Sequence, residues 1–396
     1  MPFDFDFPPL AWALWGAAAL CLIYIITVYC SRICRVRHIK AQCDAAEPAP
    51  ADAAPWPTAS VVIYARNESE ALERNLPRIL RQEYPGRFEV IVVNEGASEE
   101  TSMVVGALKA VYPNIYLTFT PDGARSLSRK KLALTLGIKA AKGEAVLITQ
   151  ADVNIPSARW LAAMMEPLRN PDISIVLGYG QAAIPEHRMP GRLTRAFDLG
   201  ADDAAWISAA GAGKPYRCCG YNLAYRRPIF FENKGFSRSL NLREGDDDIF
   251  LTEITTGRTA KPQLAEDAMV SREAMPFMRS TRSTRVDHAF TGRALFKTAR
   301  RLMVIGEWAM WLILGLSIAA LWVAGWANWV GIAITALLVL GSWAFVGAAW
   351  HRTLTTLRVP HWRSALPFQA MTRPLRNIGI NLRSRFAASP YTWAAP

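Results

Sequence analysis

Between Trp308 and Trp350 the chain carries no charged residue. At ~1.5 Å rise per residue, a helix of that length would cross ~30 Å of hydrocarbon twice. Glycine, asparagine and two tryptophans coincide at Gly325–Trp329, which predicts a break there and a hairpin of two spans. A second uncharged run, LAWALWGAAALCLIYIITV from Leu10 to Val28, predicts one more span near the N-terminus. Asp4 and Asp6 precede it, and Arg32, Arg35, Arg37 and Lys40 follow. A cleaved signal peptide has the opposite charge order, so this segment is expected to stay as an anchor.

The basic residues predict an orientation, because positively charged flanks stay cytoplasmic. Arg293, Lys297, Arg300 and Arg301 stand before the hairpin, and seven arginines from Arg352 to Arg385 follow it without an acid. The segment between the anchor and the hairpin, and the tail, are therefore expected in the cytosol at the inner membrane. These flanks hold more positive charge than the whole net charge of +12, so the rest of the chain is net acidic. The basicity belongs to a membrane surface rather than to nucleic acid. Six cysteines show no zinc-ligand spacing, and no disulfide is expected.

The expected divisions are an anchor over 1–30, a basic segment and Pro/Ala-rich linker over 31–57, a cytosolic domain over 58–291, a basic flank and hairpin over 292–350, and an interfacial tail over 351–396. Within 58–291, Val/Ile-rich runs at Ser60–Tyr64, Phe88–Val93, Ile115–Phe119, Ala145–Thr149 and Ile173–Gly178 alternate with helix-length amphipathic runs. That alternation predicts an α/β fold: a mainly parallel twisted sheet with helices on both faces.

Ligands of such sheets lie beyond the carboxyl ends of the strands. Those ends carry Arg66 and Glu68, Asn94 and Glu95, and Gln150 and Asp152. Carboxylates gathered on one rim suit Mg²⁺ or Mn²⁺ shared with a diphosphate, and Arg129-Lys130-Lys131, opening the next helix, suits phosphate oxygens. No GxxxxGK[ST] or GxGxxG sequence follows any of these strands. Further on, Glu244 and Asp246–Asp248 crowd four acids together. Such crowding raises at least one pKa and can poise a general base; a helix N-terminus that favours acids is the plainer reading.

In order along the chain come SVVIYARNES from Ser60, EVIVVNEGAS from Glu89, KKLALTLGIKAAKGE from Lys130, LITQAD from Leu147, GYNLAYR from Gly220 and GDDDI from Gly245. This series resembles family 2 glycosyltransferases across most of Thr58–Thr291. The resemblance implies a GT-A, Rossmann-like fold and an inverting transfer from a nucleoside-diphosphate sugar, UDP-linked by expectation. It also implies a membrane-proximal lipid or glycan acceptor. Asn94 and Glu95 would face the nucleoside base, Asp152 would bind the metal on the diphosphate, and Asp246 or Asp247 would be the base. Arg66, Glu68, Lys131 and Gln150 fall among the donor residues; Asn222, Arg282 and Arg285 fall on the acceptor or diphosphate side.

Gln150 stands where the family has the first carboxylate of D-x-D, and Glu95 where aspartate is commoner. Arg282–Val286 is only an echo of the family's Q-x-x-R-W block. With three spans too few to enclose a polar chain in hydrocarbon, addition of one or a few sugars is expected. Trp362, Leu366, Phe368, Leu375 and Ile378 among arginines suit an interfacial helix. The competing readings are an inactive scaffold relative and a nucleotidyltransferase acting on phosphorus.

Overall fold

A computed structural model describes residues 6–46, 54–120, 127–181, 184, 190–242, 245–255, 259–272, 277–292 and 297–386. The centre of the expected linker (47–53), Glu244, Arg293 and residues 387–396 lie outside the described residues. The chain divides into two compact units. One comprises Met1–Arg37, Arg188–Ser208 and Phe296–Leu382; the other comprises His38–His187, Ala209–Leu295 and Arg383–Pro396.

The second unit is built on a seven-stranded sheet. Its strands are β1 (Ala59–Ala65), β2 (Phe88–Asn94), β3 (Ile115–Phe119), β4 (Ala145–Gln150), β6 (Ile173–Gly178), β8 (Leu223–Arg226) and β9 (Thr259–Gln263), in the order β3-β2-β1-β4-β8-β6-β9. Three short strands, β5 (Val153–Asn154), β10 (Val270–Arg272) and β7 (Gly180–Gln181), form a second sheet in that order. Every residue of β4 is buried, as are all but Tyr64 in β1, because helices cover both faces and each strand reads as a continuous apolar run.

The expectation of a mainly parallel sheet is corrected. The sheet is mixed: β8 runs antiparallel to both of its neighbours, β4 and β6. Its buried Leu-Ala-Tyr run reads the same in either direction, so the sequence pattern contains no polarity signal.

The helix Ser69–Leu80 buries Ala71, Leu72, Leu76, Ile79 and Leu80 on one stripe against the sheet. Ser98 caps the helix Glu99–Lys109 by accepting from the Thr101 amide. The helix Arg129–Ala140 approaches the strands closely at Gly137, where a Cβ would lie 2.5 Å from Val62 Cγ1 and 2.8 Å from Val93 Cγ2. That contact fixes the depth of the helix, whose first residues are Arg129, Lys130 and Lys131.

The first unit consists of helices. Pro9–Val28 continues through a π-helical turn into Cys34–Asp44, and Lys297–Ala324 and Trp329–Thr356 are separated at the expected hairpin position. Gly325 supplies the positive φ of +94° there, and the Asn328 side chain caps the second helix by accepting from the Val330 and Gly331 amides. Among the described residues two helices, not the three expected, are long and apolar enough to cross a membrane: Pro9–Asp44 and Trp329–Thr356. Of the third expected span, the described side chains contribute the shorter apolar stretch Trp308–Ala324. In each long helix only 22% of the apolar window is buried within the protein.

Also in this unit, Trp15 Nε1 donates to Thr335 Oγ1 at 3.1 Å and Trp350 Nε1 donates to the Tyr29 hydroxyl at 3.2 Å. Arg373 and Arg376, on the helix Leu366–Phe386, pair with Asp202 at 2.6 Å and Asp198 at 2.7 Å. Phe368, Leu375, Ile378, Leu382 and Phe386 of the same helix are exposed.

Candidate active site

The carboxyl ends of β1, β2 and β4 bring their polar residues to one rim. Glu95, directly after β2, is almost fully buried. The Tyr64 hydroxyl donates to its Oε2, and Arg66 Nε and Arg129 Nη1 lie 3.5 and 4.0 Å from its Oε1. Asn94 serves its own turn: its amide donates to the Ser98 carbonyl (2.8 Å) and Ser102 Oγ (3.3 Å), and its Oδ1 accepts from the Ser98 amide.

Asp152 follows β4 by two residues, and Gln150 is that strand's buried last residue. Asp152 Oδ2 accepts from Arg272 Nε at 2.6 Å, whereas its buried Oδ1 has no hydrogen-bond partner among the described residues. Glu68, half-buried at the start of the helix after β1, has its pKa pushed up to about 6, first by burial and then by the Asp152 charge.

The acidic run resolves into three different environments. Asp248 is used up structurally: Oδ1 accepts from the Ile249 amide (2.6 Å) and Oδ2 from the Thr291 hydroxyl, so it caps the helix Ile249–Ile254. Asp246 is paired with Lys130 at 2.6 Å and its side chain is 3% exposed. Asp247 is 23% exposed, with His288 Nε2 3.7 Å from its Oδ2. Burial works to raise the Asp247 pKa, but the His288 ring, helped by Lys130 and Arg217, overrides it and holds the value at about 2. Asp248 moves the other way, raised by burial and by Asp247.

Contacts join these groups into one rim. Arg272 lies over the Tyr221 ring, with Cζ 5.7 Å from its centroid. A Cβ on neighbouring Gly220 would stand 3.0 Å from Asp247 Cβ and 3.4 Å from Asp246 Oδ2. Lys130 then leads from Asp246 to the N-terminus of its helix, where Arg129 faces Glu95.

Two expected ligand residues point elsewhere. Lys131 is fully buried and donates to the Ser239 and Leu242 carbonyls at 2.6 and 3.3 Å, fastening the loop that precedes the acidic run. Asn222 is also fully buried; it donates to the Tyr179 and Ala268 carbonyls and accepts from Trp160 Nε1, all within 3.0 Å. Arg282 is exposed and Arg285 half-buried on the helix Phe277–Thr291, whose last turns carry His288 and Thr291 to the acidic run. Sequence reasoning did not single out Arg272, His288, Arg217 or Tyr221: Tyr221 lies within the GYNLAYR run without being assigned a role, and the other three sit in segments without a distinctive pattern.

Among the described residues, no three His, Cys, Asp or Glu side chains converge as a ready metal cage. The unpartnered Asp152 Oδ1, with Glu68 beside it, nonetheless fits the habit of Mg²⁺ and Mn²⁺ sites of one or two carboxylates completed by substrate phosphates.

Residues 60–231 match the model of the family described as glycosyl transferase family 2. The chain is 27% identical over 151 residues to the β-monoglucosyldiacylglycerol synthase of Synechocystis, an overlap of 37% of this chain and 28% of that protein. It is 28% identical over 183 residues to an N-acetylglucosaminyltransferase of a Rhizobium species, covering 43% of this chain and 38% of the relative. The chain thus spans well under half the length of these curated relatives. Among solved structures it is similar to the mannosyltransferase PcManGT of Pyrobaculum calidifontis, in complex with GDP-Man and Mn²⁺. The TM-score is 0.51 at 20% identity, over 93% of this chain and 98% of that one. The shared feature is the fold, a GT-A-like α/β arrangement with a mixed sheet.

Proposed function

We propose that this chain, whose residues 60–231 match the family 2 glycosyltransferases, transfers a sugar from a nucleoside-diphosphate sugar to a hydroxyl of a membrane-proximal lipid or glycan, with inversion. The observation that carries this reading is the continuous rim from Glu95 through Lys130, Asp246 and Asp247 to Tyr221, Arg272 and Asp152. On this reading, a nucleotide end, a diphosphate end and a general base lie side by side along that rim. A scaffold would have no use for Asp152 Oδ1 and Asp246 Oδ1, buried without a hydrogen-bond partner among the described residues, which each carry a desolvation cost.

Within this reading, Glu95 and its arginine neighbours stand at the nucleoside and Asp152 at the diphosphate. Asp152 and Glu68 would hold the divalent cation, which supplies charge neutralisation of the departing diphosphate. Between Asp246 and Asp247, which the sequence leaves open, this reading takes Asp247 as base. Asp246 is occupied by Lys130 and Asp248 by its cap, whereas Asp247 reaches solvent. Asp247 accepts the hydrogen bond of the acceptor hydroxyl and takes its proton as the new C–O bond forms at the anomeric carbon. Attack opposite the leaving diphosphate inverts that centre.

The apolar helices and their basic flanks support a multi-pass protein of the inner membrane with the second unit in the cytosol, where nucleotide sugars are available. The glucosyldiacylglycerol product in the Synechocystis relative's name supports a lipid acceptor. The test is a turnover screen of the full chain in lipid against UDP- and GDP-sugars with Mg²⁺ or Mn²⁺, scored by release of nucleoside diphosphate. Turnover with at least one donor, abolished by Asp152→Ala and by chelation, is expected; no release with any donor refutes the reading.

A further inference from the structure

We infer that Arg272 is a donor-diphosphate binding residue that lets this site hold a nucleoside diphosphate without a divalent cation. The inference rests on the donor-site reading above and extends it to a residue outside the matched segment.

The guanidinium is placed by architecture rather than by a freely chosen rotamer. Arg272 ends β10, whose register pairs it with Val153, the residue after Asp152. Its Nε donates to Asp152 Oδ2 at 2.6 Å and its Cζ lies over Tyr221. Tyr221 is itself fixed, since its hydroxyl donates to the Gly180 carbonyl at 2.9 Å. Its ring packs so closely on Gly180 that a Cβ there would lie 2.2 Å from Tyr221 Cε2. With Nε engaged and 32% of the side chain exposed, neither Nη has a hydrogen-bond partner among the described residues.

The charges around it give that fork a purpose. Gln150 leaves Asp152 as the only carboxylate on the β4 end, and Arg272 already neutralises it. Set against Asp152 and Glu68, the guanidinium leaves less negative charge for a cation than the two carboxylates alone would, and both Nη groups remain for phosphate oxygens. Arginine suits phosphate because its planar fork donates two parallel bonds, and a guanidinium locked in advance loses little freedom on binding. Binding and turnover therefore separate: the nucleotide docks on Arg272, and the cation is needed for departure of the diphosphate.

The experiment is calorimetric titration of the full chain in detergent with UDP, UMP, GDP and GMP, in EDTA and in Mn²⁺. Wild type is expected to bind a nucleoside diphosphate in EDTA and to prefer it over the monophosphate. Arg272→Gln keeps a donor for Asp152 while removing the charge. It should lose about tenfold or more of the EDTA affinity, the scale of a charge-assisted pair, together with the diphosphate preference. Arg272→Lys, which keeps the charge without the fork, should fall between the two. A wild type that binds only in Mn²⁺, or an Arg272→Gln variant with unchanged EDTA affinity and preference, overturns the inference and leaves the donor reading standing. If wild type binds no nucleotide in either buffer, the donor reading fails and this inference with it.

Discussion

Lys130 Nζ lies 2.6 Å from Asp246 Oδ2, an ion pair in which the carboxylate is 3% exposed and the lysine 24%. The pair joins the helix after β3 to the acidic run. Removing one partner of a buried pair strands the other charge, at a cost of ~3 kcal/mol. Lys130→Met should therefore lower thermal stability clearly, and the double variant Lys130→Met/Asp246→Asn should recover more than half of the loss. Melting curves of Lys130→Met, Asp246→Asn and the double variant decide it; additive losses would show that the pair is not coupled.

Asn222 occupies a motif position expected on the acceptor or diphosphate side, yet its side-chain hydrogen bonds go to Tyr179, Ala268 and Trp160. Asn222→Ala would leave the Ala268 carbonyl and the Trp160 indole N–H without partners and take from the Tyr179 carbonyl one of its two donors, the other being the Val270 amide, a loss of ~2 kcal/mol at about 1 kcal/mol for each stranded group. We expect a reduced melting temperature with an unchanged KM for acceptor in the protein that remains folded. A normal melting temperature with a raised acceptor KM would return Asn222 to a ligand role.

These two residues show what the sequence conveyed and what it did not. The ends of β1, β2 and β4 were legible because an α/β sheet gathers its strand ends, so Glu68, Glu95 and Asp152 could be grouped before any coordinates. The hairpin at Gly325–Trp329 was legible from charge and glycine alone. A motif letter, however, does not reveal which way a polar side chain points, so Lys131 and Asn222 read as ligands while serving loop and core. Arg272 and His288 were invisible because each reaches the rim through a long-range pairing: β10 against β5 for one, the helix Phe277–Thr291 against the acidic run for the other. The antiparallel entry of β8 has the same origin.

The His288 ring is the leading influence that depresses the Asp247 pKa to about 2 against the opposing effect of burial. A depressed carboxylate stabilises the fold fully above its unfolded value of about 4, and that contribution is lost as pH falls through about 2. Wild-type transfer should accordingly show no acid limb from Asp247 at pH 5–8. In His288→Ala burial gains weight and the pKa rises, so transfer should fall most at the acidic end and recover toward pH 8. A pH–rate profile with the wild-type shape would remove His288 from this role.

Lys109 is exposed at the end of the helix Glu99–Lys109, in the unit proposed to be cytosolic. In a Cys30→Ser background, Lys109→Cys should resist a membrane-impermeant maleimide in intact cells and react after permeabilisation. Labelling in intact cells would invert the proposed topology.

In the proposed mechanism Asp247 activates the acceptor while Asp152 and Arg272 serve the donor. The direct measurement compares Asp247→Asn with Asp246→Asn for both donor binding and transfer rate. Asparagine keeps the shape and removes the proton acceptor, a group whose contribution is typically ~10²–10⁴-fold. Asp247→Asn should bind nucleotide sugar like wild type while transfer falls at least about a hundredfold, and Asp246→Asn should lose far less transfer. Full transfer by Asp247→Asn would contradict the account.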